Sequence, residues 1–359
     1  MRRATAALLA VAGIGLAAPA IPNAAAASTG FFGLSTAPPF DGRDVPKMRS
    51  TGVQTVRVPI VWASIQPRRD SLRWAGTDKA VGDLAARGIR TVPFVYGSPP
   101  WLAHELKRPP LGSATKENAW RRFLTRLVQR YGPRGTYWDG GYQRDHPGAQ
   151  ALPITAWQIW NEPNLRAFFL PQTKATPRRY AKLVRISHNA IRAVDPGARI
   201  VLAGVVGYAE PTAWAFLRKL YAVKGIKRYF DVAAVHPYSA TIDQFRTILG
   251  NVHHVLATHH EGKTPLWLTE VGWGSAHHTN REPLNKGPQG QKRMLRRSFN
   301  LVLDNRARWH VARLFWFDWR DPVHGGHGGC NFCDSSGLLR HSHQPKPSYR
   351  AFRGFALSN

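Results

Sequence analysis

Short apolar runs alternate with longer amphipathic stretches along most of this chain, and the pattern predicts eight strands separated by helices. The strand-like runs cover residues 31–35, 55–62, 90–96, 156–160, 199–206, 230–236, 266–270 and 313–317. They are rich in Val, Ile and aromatic residues with little alternation, as expected of strands buried on both faces. Between them, apolar residues recur at helical spacing. Trp120, Phe123, Leu124, Leu127, Val128 and Tyr131 mark one face of a helix over 116–131. Another helix is expected to open with Thr176 as N-cap and Pro177 in its first turn, and to stop near Asp195-Pro196-Gly197. Residues 78–86 and 291–307 behave similarly.

Strands alternating with helices predict an α/β fold with a parallel sheet and right-handed crossovers. Eight repeats within about 330 residues fit a closed (β/α)8 TIM barrel better than an open doubly wound sheet. No Gly-rich dinucleotide or phosphate loop follows the first strand, which argues against the open alternative. No linker or composition shift marks a second domain, so residues 28–359 are expected to form one catalytic domain. Residues 132–150 precede the fourth strand and are expected away from the catalytic face. Residues 325–347 follow the eighth strand and are expected on it.

The first 27 residues change the picture. Arg2 and Arg3 precede an apolar stretch over 4–18, and Ala25-Ala26-Ala27 fits a small-x-small cleavage site before Ser28. A membrane anchor is the alternative reading, but Pro19 and Pro22 interrupt a stretch of modest hydrophobicity. The expectation is a signal peptide over 1–27 and a secreted, extracellular or cell-wall-associated monomer without a transmembrane anchor. In an oxidising compartment Cys330 and Cys333 are expected to form a disulfide. The spacing of His324, His327, Cys330 and Cys333 also leaves a structural zinc site open.

The chain carries a formal net charge of +29 over 359 residues. Such a field attracts polyanions, including acidic polysaccharide, nucleic acid and membrane surface. No dense basic run or nucleic-acid module accompanies it, so no specific nucleic-acid partner is expected. A hydrophobic fraction of 43% excludes a disordered chain.

Working residues of such a barrel lie at the C-terminal ends of its strands. The fourth run ends Trp157-Gln158-Ile159-Trp160-Asn161-Glu162-Pro163-Asn164, and the seventh ends Leu266-Trp267-Leu268-Thr269-Glu270-Val271-Gly272-Trp273. Barrel closure would bring Glu162 and Glu270 to one mouth. Two carboxyls across a small gap suit glycosidic cleavage, one donating a proton and the other attacking or stabilising the oxocarbenium-like centre. Pro163 is expected to hold Glu162 in an extended backbone. An apolar wall near Trp160 would raise its pKa, whereas Glu270 must stay ionised, with Arg57 and Tyr238 as candidate supports.

Trp160-Asn161-Glu162-Pro163-Asn164 resembles the acid/base motif of the clan A glycoside hydrolases, in detail the cellulase-like family 5 and the xylosidase-like family 39. The resemblance implies a retaining double displacement with Glu162 as acid/base and Glu270 as nucleophile. It implies Asn161 as a contact to the sugar 2-hydroxyl, and Arg57 in Val56-Arg57-Val58-Pro59 as the second-strand Arg beside the nucleophile. His236 and Tyr238 of His236-Pro237-Tyr238 match the sixth-strand pair flanking it. Trp316 stands for the eighth-strand Trp beneath the reactive sugar, with Trp319 as the alternative. The sequence departs from family 5 after the third strand, where Ser98-Pro99-Pro100-Trp101 replaces a frequent His.

Trp101 and Trp273 are candidate sugar platforms or core residues. His236 could orient a carboxylate or be a satisfied buried histidine. Asp318, Arg320 and Asp321 are expected to form surface ion pairs. The expected activity is a retaining O-glycosidase acting on a poly- or oligosaccharide, without metal or cofactor. A barrel that has lost catalysis but holds an anionic cell-wall polysaccharide is the alternative. A basic nucleic-acid or membrane-surface protein rests on charge alone.

Overall fold

The computed structural model describes residues 30–323 and 330–358; the expected signal peptide and the pair His324 and His327 lie outside them. Eight parallel strand positions follow one another in the chain: β1 (Phe32–Ser35), β2 (Thr55–Val61), β3 (Arg90–Tyr96), β4 (Ala156–Ile159), β5 in two parts (Arg199–Leu202 and Val205–Val206), β6 (Ala233–His236), β7 (Leu266–Val271) and β8 (Val311–Phe317). The first part of β5 pairs with β4 and the second with β6. With β1 paired to both β2 and β8, the two halves of β5 occupy opposite ends of the sheet order, so the sheet curls into the expected (β/α)8 barrel. A bridge between Val201 and Val232 completes the circuit.

The run predicted over 199–206 is therefore one strand interrupted at Ala203-Gly204. A side chain at Gly204 would stand 2.0 Å from Nε2 of His236. The missing Cβ makes room for an imidazole inside the barrel.

Long helices cover the barrel. Ala114–Tyr131 starts with Ser113 as N-cap, its side chain accepting from the Lys116 amide. Thr241 and Gln244 form a capping box on Ile242–Thr258. In Thr176–Arg192 the expectation fails in detail. Ala175 is the N-cap, Thr176 is the first helical residue, and its Oγ1 accepts from the Thr173 amide. No helix among the described residues is long and apolar enough to cross a membrane.

Parity along the strands separates two apolar regions. Outward residues such as Val56, Val58, Trp157, Ile159 and Trp316 pack against the helices in the main core. Inward residues Val92, Ala156, Val201, Ala234, Trp267 and Phe315 form a plug inside the barrel. Above the plug lies a polar layer of Arg57, Gln158 and Thr269, all fully buried. It forms the base of the mouth at the C-terminal strand ends.

Candidate active site

Arg57 is inward on β2 between outward Val56 and Val58. Its guanidinium donates from Nε to Gln158 at 2.6 Å, from one terminal nitrogen to Ser35 at 2.9 Å and Glu270 at 2.5 Å, and from the other to Asn161 at 2.8 Å. It also lies 3.8 Å from the Phe94 ring centroid. A buried cation with every edge engaged is a fixed electrostatic platform. Glu270 rests on it through Oε1, and its Oε2 accepts the Tyr238 hydroxyl at 2.6 Å.

Period-2 alternation cannot place both Thr269 and Glu270 inside a barrel. The β7–β8 register shifts between Leu268 and Val271, and this irregularity lets the two successive side chains face inward. Thr269 Oγ1 then shares a 2.9 Å hydrogen bond with Nε2 of His236, while Nδ1 of His236 shares one of 2.7 Å with Oε1 of Glu162 and lies 3.5 Å from Oε2 of Glu270. Oxygens of the two carboxyls and a ring nitrogen of His236 lie within 4.8 Å of one another.

The β4 exit is built differently from expectation. Trp160 and Glu162 have φ of 70° and 37°. Pro163 therefore does not impose an extended backbone on Glu162; both residues take left-handed conformations that non-glycine residues adopt at a cost of about 1–3 kcal/mol each. Packing over-determines them. Trp160 is fully buried with its indole N–H donating to the Phe168 carbonyl, and the Leu165 amide donates to the Glu162 carbonyl. Asn164 acts as a clamp, its side chain bonding Val206 in both directions and the Pro211 carbonyl. The turn aims Asn161 and Glu162 into the mouth together.

The environments drive the carboxyls apart. Burial is the largest influence on Glu162 and raises its pKa, with Glu270 adding to the rise against the lowering effects of His236 and Arg57. Burial also pushes Glu270 upward, but His236, Arg57 and Tyr238 together outweigh it and hold that carboxyl below its ordinary value. The two carboxyls are thus displaced in opposite directions, the pattern that pairs a proton donor with a carboxylate. Tyr238 is pushed well upward by burial and by both glutamates, so it remains a donor.

A cavity of about 710 Å³ opens above this group, within the usual span of small-molecule sites. Arg57, Asn161, Glu162, Tyr238 and Glu270 line it, as expected. The tryptophans do not. Trp316 is fully buried on the outward side of β8 against Trp273 and Phe299. Trp273 is equally buried and donates to the Ser239 carbonyl. Trp319 packs on Tyr349 and donates to Asp44. Trp101 packs edge-on against Trp62 and donates to the Gln66 carbonyl. Trp273, Trp316 and Trp319 are core residues, and Trp101 is half-buried outside the lining of this cavity. The aromatic lining comes from Phe94, Tyr96, Phe168, Phe317 and Phe332. Phe317 shares the inward parity of Phe315, and Trp316 between them has the opposite one. Applying the strand-end rule to β1 and β3 would have found Ser35 and Tyr96.

Asp318 lines the cavity and is buried, and Asp321 pairs with the buried Lys346, so neither is a surface group. Arg320 pairs inward with Asp44. Cys330 and Cys333 form a disulfide that, with Phe332, borders the cavity, as expected for the tail after β8. Those thiols are therefore committed to each other rather than to zinc. Arg57, already tied to Glu270, is the one basic residue lining the cavity among the described residues.

Residues 136–345 match a family model described as glycosyl hydrolase catalytic core. No curated protein sequence matches the chain. Among solved structures, a family 39 glycoside hydrolase from Bacteroides cellulosilyticus WH2 superposes with a TM-score of 0.67 at 19% identity, over 92% of this chain and 64% of that one. The GH39 enzyme from Xanthomonas axonopodis pv. citri gives 0.67 at 18% identity, over 93% and 68%. Xylanase 10B from Thermotoga maritima gives 0.63 at 14% identity, over 92% and 95%. The chain thus spans about two thirds of the family 39 proteins, and at these identities the likeness is one of fold.

Proposed function

The chain belongs to the glycosyl hydrolase catalytic core family, and from that premise we propose that it is a retaining glycosidase with Glu162 as acid/base and Glu270 as nucleophile. The observation that carries this reading is the pair of facing carboxyls, with oxygens within 4.8 Å and pKa values displaced in opposite directions. Retaining enzymes hold their carboxyls about 5–5.5 Å apart, whereas inverting ones need about 6.5–9.5 Å to admit water.

In the first step Glu270 attacks the anomeric carbon while Glu162 gives its proton to the glycosidic oxygen. The carbon–oxygen bond breaks, the alcohol departs, and an acyl-type glycosyl ester joins the sugar to Glu270. Esterification removes the negative charge of Glu270, one of the influences that raise the Glu162 pKa. Glu162, now a carboxylate, can then take a proton from water as that water attacks the anomeric carbon. The ester bond breaks, Glu270 leaves as carboxylate and Glu162 is again protonated. Arg57 and Tyr238 hold Glu270 for attack and receive its charge back. Asn161 commits its Oδ1 to Arg57, which leaves its amide N–H groups for a sugar hydroxyl.

The substrate is an oligo- or polysaccharide, cleaved by an exported, monomeric enzyme. The Arg2-Arg3 start, the apolar stretch after it and the disulfide support export. A barrel that only binds carbohydrate is not favoured, because both carboxyls and their supports are in place. Incubation with a panel of aryl glycosides, with the anomeric configuration of the first product followed by NMR, tests the proposal. Retained configuration is expected. An inverted product from the active substrate would overturn the double displacement.

A further inference from the structure

A concentration of unpaired positive charge lies at the opposite end of the barrel. Arg90, Arg199 and Arg313 are on β3, β5 and β8, and they share the inward parity of Val92, Val201 and Phe315. Arg90 and Arg199 are the first residues of their strands, and Arg313 is the third of its own. They line a cavity of about 280 Å³ with the hydroxyl-bearing Thr55, Thr91 and Thr155, and no Asp or Glu lines it. The plug of Val92, Ala156 and Trp267 separates this floor from the catalytic mouth.

Arg313 is held in place: it donates to the Gly30 carbonyl at 2.9 Å and the Thr55 hydroxyl at 3.0 Å, and lies 5.4 Å from the Trp267 ring centroid. Arg90 and Arg199 are exposed. Among the described residues none of the three forms an ion pair. Burial and the charges of Arg199 and Arg90 both act to lower the Arg313 pKa, as expected where like charges converge. At about 30 Å³ per water, the cavity has room for an oxyanion with part of its hydration shell. Guanidinium forks and hydroxyls match the oxygens of a tetrahedral anion in shape and charge.

We propose that the barrel floor is an anion site that takes a phosphate or sulfate group through Arg90, Arg199 and Arg313. A group carried on a polymer would hold the enzyme to an anionic matrix while the mouth faces away, free to accept sugar.

Calorimetric titration of the full chain at about 0.15 M ionic strength with inorganic pyrophosphate and with heparin tests this, comparing wild type, R90Q/R199Q and the charge-matched control R296Q/R297Q on the outer face of Gly287–Asp304. Loss of charge-assisted hydrogen bonds should weaken affinity by about tenfold or more in R90Q/R199Q. The control should change by less than about twofold, since dispersed surface charge is screened. Site-dependent pyrophosphate binding supports a small anion as ligand; site-dependent binding of heparin alone supports a polymer. Thermal unfolding without ligand should show R90Q/R199Q at least as stable as wild type, because like charges have been removed. Binding of neither probe, or equal weakening in both variants, would overturn the site.

Discussion

Replacing Glu162 by Gln separates proton transfer from every other property of the site. Gln has the shape of a protonated Glu and carries no charge, so the buried environment that favours the neutral acid also accepts the amide. The 2.7 Å contact to His236 can be kept by the amide. What disappears is the transferable proton, worth roughly 10²–10⁴ in rate. For glycosides whose leaving group needs protonation, kcat/KM should fall by that factor. For nitrophenyl glycosides, which leave without a proton, kcat/KM should fall by less than about tenfold, since nucleophilic attack is intact. The second step still lacks its base, so kcat falls; azide, which needs no deprotonation, should restore it and yield a glycosyl azide of retained configuration.

The pH profile supplies a second reading of the same variant. In the wild type, activity should rise as Glu270 ionises through its lowered pKa and fall as Glu162 loses its proton through its raised one. E162Q should lose the alkaline limb and keep the acid limb. Equal losses on activated and unactivated glycosides, or an alkaline limb that persists in E162Q, would refute the assignment of Glu162 as the acid.

Glu270→Gln should abolish turnover and also lower stability, because it leaves the buried Arg57 without its counter-charge. Partner removal of this kind costs about 3–5 kcal/mol, and the lower end is expected because Ser35, Gln158 and Asn161 remain. Denaturant melts at pH 7 should thus show E270Q less stable than wild type and E162Q no less stable. The sign follows from linkage: the lowered Glu270 pKa gives stability present above its ordinary value and lost as pH falls through the folded one, whereas the raised Glu162 pKa gives stability present at low pH and lost as pH rises through the folded one. Tyr238→Phe removes a donor to Glu270 and should move the acid limb of the kcat/KM profile upward in pH, with kcat lowered by about 10²-fold. Phe317→Ala should raise KM with a small change in melting temperature, while Trp316→Ala should cost about 3–5 kcal/mol of stability; paired kinetics and melts distinguish the cavity wall from the core.

Much of this molecule can be read locally. Runs such as 55–62 and 90–96 are strands because branched and aromatic residues buried on both faces suit a parallel barrel, and they appear at Thr55–Val61 and Arg90–Tyr96. Glutamates at the fourth and seventh strand ends, with Arg57, Asn161, His236 and Tyr238, come together in the structure. The errors among the tryptophans of these strands share one cause. When both faces of a strand are apolar, composition does not reveal which residues point inward, so Trp316 and Trp273 looked as suitable for the cavity as Phe317. Pro163 suggested an extended Glu162, but packing of Trp160 and the clamp of Asn164 impose a left-handed backbone instead.

The sequence by itself determined the alternation of strands and helices, the strand ends on which carboxyls stand, and the excess of basic side chains, because each is a property of neighbours along the chain. Only the tertiary structure decided which aromatics line the cavity, which glutamate's pKa is raised and which lowered, and where three arginines converge without a counter-charge. Those depend on strand parity, on the β7–β8 irregularity beside Glu270 and on desolvation. All three arise from contacts between residues remote in sequence, which exist only once the barrel has closed.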